Sequence, residues 1–340
     1  MEIGKEQAFI VAEISANHGN DINIVKNSIK KAKEIGCDAV KIQTYRPDTI
    51  TLDCDNEYFQ INNGTIWDGT TLYKLYEEAM TPWEWHEDLF EFAEKNDITL
   101  FSTPFDFTAV DLLEKCKNPI YKIASFEIVD IPLIEYTAAK GKPMILSTGI
   151  ATEEEINDAV NACRRQGNNN IYLLKCTSQY PAKIEDANLL TMVDMKSRFN
   201  VEVGLSDHTE GDIVAISAAA LGAKIIEKHF ILDRKVGGPD SSFSMEPEEF
   251  KKMIKEIRNV ERAKGKVTYS LSESKEKSRK FARSLFVVKD AKKGECISDE
   301  NIRSIRPSGG LKPKEYKDVI GRHFKKDVFR GEPLNREMIE

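Results

Sequence analysis

Two of the five histidines in this chain, His208 and His229, each close a short apolar run, GLSDH (204–208) and EKHF (227–230). If those runs are neighbouring strands, their imidazoles converge on one point. Such a pair suits a divalent ion, and two protein nitrogens leave it open positions for water and substrate. An ion held that way polarises a carbonyl, which favours Mn²⁺, with Mg²⁺ or Co²⁺ as relatives, over structural Zn²⁺. Two hydrogen-bonded histidines capping a rim would show the same spacing. His18, His86 and His323 have no such pairing and are expected to be structural.

Lys41 and Lys122, with the hydroxyls of Thr103, Ser125 and Ser147, also fall at the ends of apolar runs. Taken singly, each is an ordinary rim residue. Together they form a crown of ammonium and hydroxyl donors, without a Walker loop, that fits a phosphorylated or dianionic small molecule. Glu13, Ser102, Lys175 to Ser178, Ser206 and Lys228 share the same placement. A deeply placed lysine can also be a Schiff-base nucleophile. An ion that polarises an aldehyde needs no imine, so metal-assisted condensation ranks first.

The elements that must position these groups are eight β-rich runs: 9–15, 39–44, 98–104, 120–125, 143–149, 171–177, 201–208 and 224–230. Amphipathic stretches such as 22–36, 153–167 and 210–223 lie between them, several closed by glycine. Eight βα units close most simply as a (β/α)8 TIM barrel, whose catalytic groups sit at the C-terminal strand ends. A doubly wound open sheet is the rival, but neither GxGxxG nor GxxxxGK[ST] occurs. The long interval before Thr103 holds an insertion, residues 44–80, of the kind that sits over a barrel mouth.

After a helix at 246–263, residues 264–280 are polar without apolar period and read as a linker. Residues 281–340, with short strands and Gly and Pro turns, make a small separate module. The division is therefore barrel 1–263, linker 264–280 and module 281–340. Of 49 Lys+Arg and 56 Asp+Glu, the last sixty residues hold 14 and 10, so the module is net +4 and the remainder net −11. An acidic bulk argues against nucleic acid or an anionic membrane as partner. Six cysteines without a CxxC pair, an acidic start and no apolar run near the ~20 residues of a membrane span point to a cytoplasmic protein.

The words AEISANH (12–18), KIQTY (41–45), STPFD (102–106), YKIAS (121–125), STGIA (147–151), GLSDH, EKHF and IRPSGGL (305–311), in that order, resemble the sialic acid synthase family. The resemblance covers nearly the whole chain, and its last sixty residues look like that family's antifreeze-like (β-clip) domain. It implies condensation of phosphoenolpyruvate with the open-chain aldehyde of an N-acylated amino sugar, giving phosphate and a nine-carbon 2-keto sugar acid. The stretches 65–86 and 122–128 look like the branch whose acceptor is 2,4-diacetamido-2,4,6-trideoxy-altrose, rather than the N-acetylneuraminate or legionaminate branches.

Carried over by motif position, the resemblance implies that Lys41, Thr103, Lys122, Ser125, Ser147 and Ser206 hold phosphoenolpyruvate. It assigns His208 and His229 to the metal and Tyr180 to a wall of the sugar site. Ser178 stands where the family has Asn, which puts its phosphate contact in question. Glu13 and Glu127 match acids near the reacting carbons, with Glu127 the candidate base toward water and Glu13 an acid or sugar contact. Arg306 matches an arginine offered to the sugar of a partner subunit, so a domain-swapped homodimer is expected. The rival readings are a non-catalytic carbohydrate-binding protein, ice binding by the module, which its 24 charges oppose, and a synthase for phosphorylated sugars, which would need a second anion site.

Overall fold

The computed structural model describes residues 3–62, 64 and 67–340. Thr65 and Ile66 of the 65–86 motif lie outside the described residues. The chain divides into two compact units, Met1–Gly265 and Lys266–Glu340.

The first unit is a closed parallel barrel of eight strands in sequence order. They are β1 (Phe9–Glu13), β2 (Ala39–Thr44), β3 (Thr99–Pro104), β4 (Tyr121–Ile123), β5 (Met144–Ser147), β6 (Ile171–Cys176), β7 (Glu202–Asp207) and β8 (Ile225–His229). β1 closes the ring on β8, with Glu13 beside His229 and, on its other side, Lys41 of β2. The strands read as unbroken apolar runs because both faces are buried, one toward the helices and one toward the barrel axis. Phe9, Val11, Ala39, Phe101, Ile145, Leu174 and Ile225 form one packed cluster, and Ile10, Ala12, Val40, Ile42, Leu146 and Ile226 belong to another. These sets alternate along each strand, so the first lines the axis and the second meets the helices. Gly204 belongs to the tight inner packing: a Cβ there would stand 2.4 Å from the Ile225 carbonyl and 2.8 Å from Leu174.

The helices are fixed locally by their ends. Helix Ile22–Ile35 begins where Asp21 accepts from the Asn23 amide and stops at left-handed Gly36. Helix Glu153–Arg165 opens on a Thr152/Glu155 capping box and carries acids in its first turn and arginines in its last. The insertion folds as short helices Pro47–Ile50 and Leu72–Ala79. It is pinned where Tyr45 packs edge-on against Tyr76 and Phe105, at 5.6 and 5.1 Å.

In the second unit, β9 (Ser284–Val287) pairs antiparallel with β10 (Ile302–Ile305). Its own core includes Leu285, Ile297, Ile302, Phe324 and Val328. Residues 264–280, expected to be a linker throughout, contain the helix Glu273–Arg279, capped by Ser272. It buries no side chain, and Lys277 pairs with Glu273 one turn away. Capping and an i,i+4 ion pair shape it, not an apolar stripe.

Candidate functional site

At the C-terminal end of the barrel the inner face changes from apolar to polar. Two residues beyond the apolar ring, the same alternation turns Glu13, Lys41, Thr103, Lys122, Ser147, Ser206 and Glu227 inward. All seven are buried. Lys41 pairs with Glu13, stands 3.5 Å from Glu227 Oε1 and donates to Thr103 Oγ1 at 3.3 Å. Lys122 donates to the same Glu227 Oε1 at 2.8 Å, and Ser206 Oγ does so at 3.2 Å.

Glu227 is therefore the hub of the crown, and sequence reasoning passed over it. The signal was present in EKHF: a residue two before the inward His229 must also face in. Burial pushes its carboxyl up, but the ammoniums of Lys122 and Lys41 outweigh that and keep it ionised, well below the usual carboxylate range. Glu13 goes the other way. Burial first, then the charge of Glu227, raise its carboxyl despite Lys41.

On the side of β4 and β5, Ser125 Oγ accepts from the Gly149 amide at 3.2 Å. Ser147 Oγ is buried with no hydrogen-bond partner. A Cβ on Gly149 would fall 2.1 Å from Ser178 Oγ and 2.7 Å from Ser125 Oγ, so glycine is required where these hydroxyls crowd the backbone. Ser178 thus lies in the cluster that its departure from the family motif had put in question. Glu127, on the turn after β4, is pushed up to about 7 by burial and then by the charge of Asp130. Its Oε2 is buried and unpartnered.

His208 and His229 converge as their spacing predicts, with ring centroids 5.2 Å apart. His208 Nδ1 lies 2.9 Å from the Thr177 carbonyl, which requires an N–H there and leaves the lone pair on Nε2. His229 Nδ1 is buried without a hydrogen-bond partner, 4.0 Å from Asp240 Oδ2. Burial holds His229 well below the usual imidazole range, in the neutral form that ligates metals. An orphaned ring nitrogen and an oriented second imidazole fit a divalent ion. Among the described residues no cluster of three His, Cys, Asp or Glu side chains is placed to hold one, so most of its positions would stay open. Asp240, also missed from sequence, is carried there by the loop after β8 and accepts from the Ala16 amide.

Tyr180 covers the pair, with its ring 4.3 Å from His208 and 6.2 Å from His229. Phe243 and, from the insertion, Trp67 pack on Tyr180 at 5.3 and 5.4 Å. The insertion therefore reaches the barrel mouth.

Other strand-end residues point away. Lys228 is adjacent to inward His229 and so faces the helices, where it pairs with Asp207. Ser102 donates to the Ile42 carbonyl and meets Thr44, which in turn bonds His86. His18 bonds the Ala79 carbonyl. Arg306 belongs to the second unit, exposed just after β10.

Residues 28–269 match the NeuB family and residues 282–340 the SAF domain. The chain is 50% identical over 332 residues to a pseudaminic acid synthase of Helicobacter pylori, covering 97% of each. It is 36% identical over 336 residues to an N,N'-diacetyllegionaminic acid synthase of Campylobacter jejuni, covering 98% of this chain and all of that one. The crystal structure of N-acetylneuraminic acid (sialic acid) synthetase from Leptospira borgpetersenii, in complex with citrate, superposes with a TM-score of 0.71 at 32% identity, over 80% of this chain and 90% of that one. A polar crown inside a closed barrel, a facing imidazole pair and a C-terminal SAF domain thus stand on a sequence that matches along almost its full length, and the chain belongs to the NeuB family.

Proposed function

We propose that this chain is a pseudaminic acid synthase, joining phosphoenolpyruvate, water and 2,4-diacetamido-2,4,6-trideoxy-altrose into pseudaminic acid and phosphate in the cytoplasm. The observation that carries the reading is the juxtaposition of two buried ammoniums and an orphaned serine hydroxyl with two facing imidazoles. The branch rests on 50% identity to a pseudaminic acid synthase against 36% to a legionaminic acid synthase.

Lys41 and Lys122 neutralise the bound enol phosphate, while Thr103, Ser125, Ser147 and Ser206 supply hydroxyl donors to its oxygens. His208 and His229 would hold a divalent ion, Mn²⁺ in preference to Mg²⁺ or Co²⁺, which when bound would supply Lewis acidity toward the aldehyde. Tyr180 walls the sugar. The enol C3 forms the new bond to the aldehyde carbon, whose oxygen takes up a proton. The positive charge left at C2 lies near the carboxylates of Glu13 and Glu227. Water adds at C2 as Glu127 removes its proton. The C2–O bond then breaks, phosphate departs with the electron pair, and loss of the hydroxyl proton leaves the ketone. Arg306 of a partner subunit completes the sugar pocket in a domain-swapped homodimer.

The test incubates the protein with phosphoenolpyruvate, Mn²⁺ and each of three acceptors: N-acetylmannosamine, the diacetamido-altrose and the corresponding diacetamido-mannose. Products are read by mass and NMR. Turnover of the altrose derivative is expected. A preference for N-acetylmannosamine would overturn the branch, and no turnover of any acceptor would overturn the enzyme.

A further inference from the structure

Each metal-facing histidine is preceded by a residue of opposite charge: Asp207 before His208, Lys228 before His229. Side chains alternate along a strand, so when the imidazoles face the axis these neighbours face the helices. They are Cα partners in the β7–β8 register. Lys228 Nζ lies 2.7 Å from Asp207 Oδ2, with both side chains 1% exposed, and donates to the Thr209 carbonyl at 2.6 Å. Asp207 Oδ1 accepts from the Thr209 amide at 3.0 Å and its hydroxyl at 2.8 Å. The backbone on both sides of His208 is thereby wrapped around one carboxylate. The Ala182 amide donates to the His208 carbonyl at 2.9 Å, which ties the loop carrying Tyr180 to the same point.

A buried ion pair is weak evidence for stability, because removing two charges from water costs about as much as their attraction returns. What this one does supply is a fixed distance between two strand ends. We propose that Asp207 and Lys228 are positioning residues, a staple behind the barrel wall that sets the spacing of His208 and His229. It acts through those histidines and touches no substrate. The proposal deepens the metal reading above and rests on it.

The test uses the full chain with Mn²⁺ alone as probe. Asp207→Asn/Lys228→Met removes both charges together, so neither is left buried and unpaired. Wild-type circular dichroism is expected, with the Mn²⁺ dissociation constant, read from the electron paramagnetic resonance of the free ion, raised about tenfold or more, the range for groups that orient metal ligands. A folded double variant with wild-type Mn²⁺ affinity would overturn the staple, since a merely structural pair shifts the melting temperature and leaves metal binding alone. Lys228→Arg keeps the charge but changes the donor geometry, and provides a second measurement if the double variant fails to fold. The ¹H–¹⁵N imidazole signals of His208 and His229 are expected to move in that metal-free variant, and unmoved signals would refute the proposal. Wild-type protein that takes up no Mn²⁺ would end the metal reading, and the imidazole signals would then decide the spacing by themselves.

Discussion

Glu127→Gln separates the chemistry of the proposed base from its cost to the fold. Burial raises the Glu127 carboxyl from 4.5 to about 7. A raised carboxyl means the folded protein prefers the protonated form. Below about pH 4.5 both folded and unfolded chains hold the proton and nothing is lost. Between there and pH 7 the unfolded chain ionises more readily, so stability falls as pH rises, and above 7 the full cost applies. At 1.36 kcal/mol per pKa step, that cost is about 3 kcal/mol. Glutamine carries no such charge. At pH 8 Glu127→Gln is therefore expected to be about 3 kcal/mol more stable than wild type, or about 6 °C in melting temperature for a unit of this size, with no difference at pH 4.5. Turnover should fall about 10²–10⁴-fold, the usual contribution of a general base. Wild-type kcat should rise with pH through about 7, and the variant should lose that limb while keeping any limb that belongs to the substrate. Thermal melts from pH 4.5 to 8 and a kcat profile check both arms. Wild-type turnover in the variant would eliminate the base, and a melting difference independent of pH would show that the carboxyl is not raised.

Glu227→Gln takes the carboxylate from beside Lys122 and Lys41, and leaving buried ammoniums underpaired should lower stability by about 3 kcal/mol in urea denaturation. Phosphoenolpyruvate at a hundredfold excess over its dissociation constant should restore about 2.7 kcal/mol, and an unchanged urea midpoint would contradict the hub. Removing residues 266–340 should leave a barrel that melts as one cooperative unit, because its packed clusters lie wholly before residue 265. Sugar turnover should be lost if Arg306 completes the pocket, and a truncated protein with full activity would refute that role.

The barrel was legible because its strands are buried on both faces, and eight apolar runs at βα spacing leave few topologies. The inner crown was legible for the same reason at Lys41, Lys122 and Ser147, each two residues beyond an inward apolar side chain. Reading the most reactive residue at each strand end, without enforcing the alternation, misjudged β8. It grouped Lys228 with His229, although adjacent residues face opposite ways, and it overlooked Glu227, which shares the inward face. Asp240 was not legible at all. Its place beside His229 depends on the course of the irregular loop that leaves β8, and its bond to Ala16 on that loop reaching the end of neighbouring β1; no periodicity encodes either. The helix Glu273–Arg279 escaped because nothing apolar marks it, only a serine cap and a charge pair.

Glu227 also changes what the crown is. From sequence it looked cationic, two lysines among hydroxyls. In the fold, two ammoniums stand against two carboxylates, Glu13 and Glu227, all buried. A compensated site in a chain whose residues 1–280 carry a net charge of −11 is not a long-range funnel for anions. On the proposed function its selectivity would act at contact, where buried Ser147, without a hydrogen-bond partner, and ammoniums already stripped of water would meet phosphate oxygens at low dielectric. The same compensation offsets part of the cost of keeping Lys41 and Lys122 dry without substrate, since either ammonium alone would face the full desolvation cost. Burial at Lys41 is outweighed by the carboxylates of Glu13 and Glu227, which raise it, whereas burial still draws Lys122 below the usual lysine range. On the proposed function, the carboxylates that compete with the substrate for the lysines are thus what would hold those lysines in place for it.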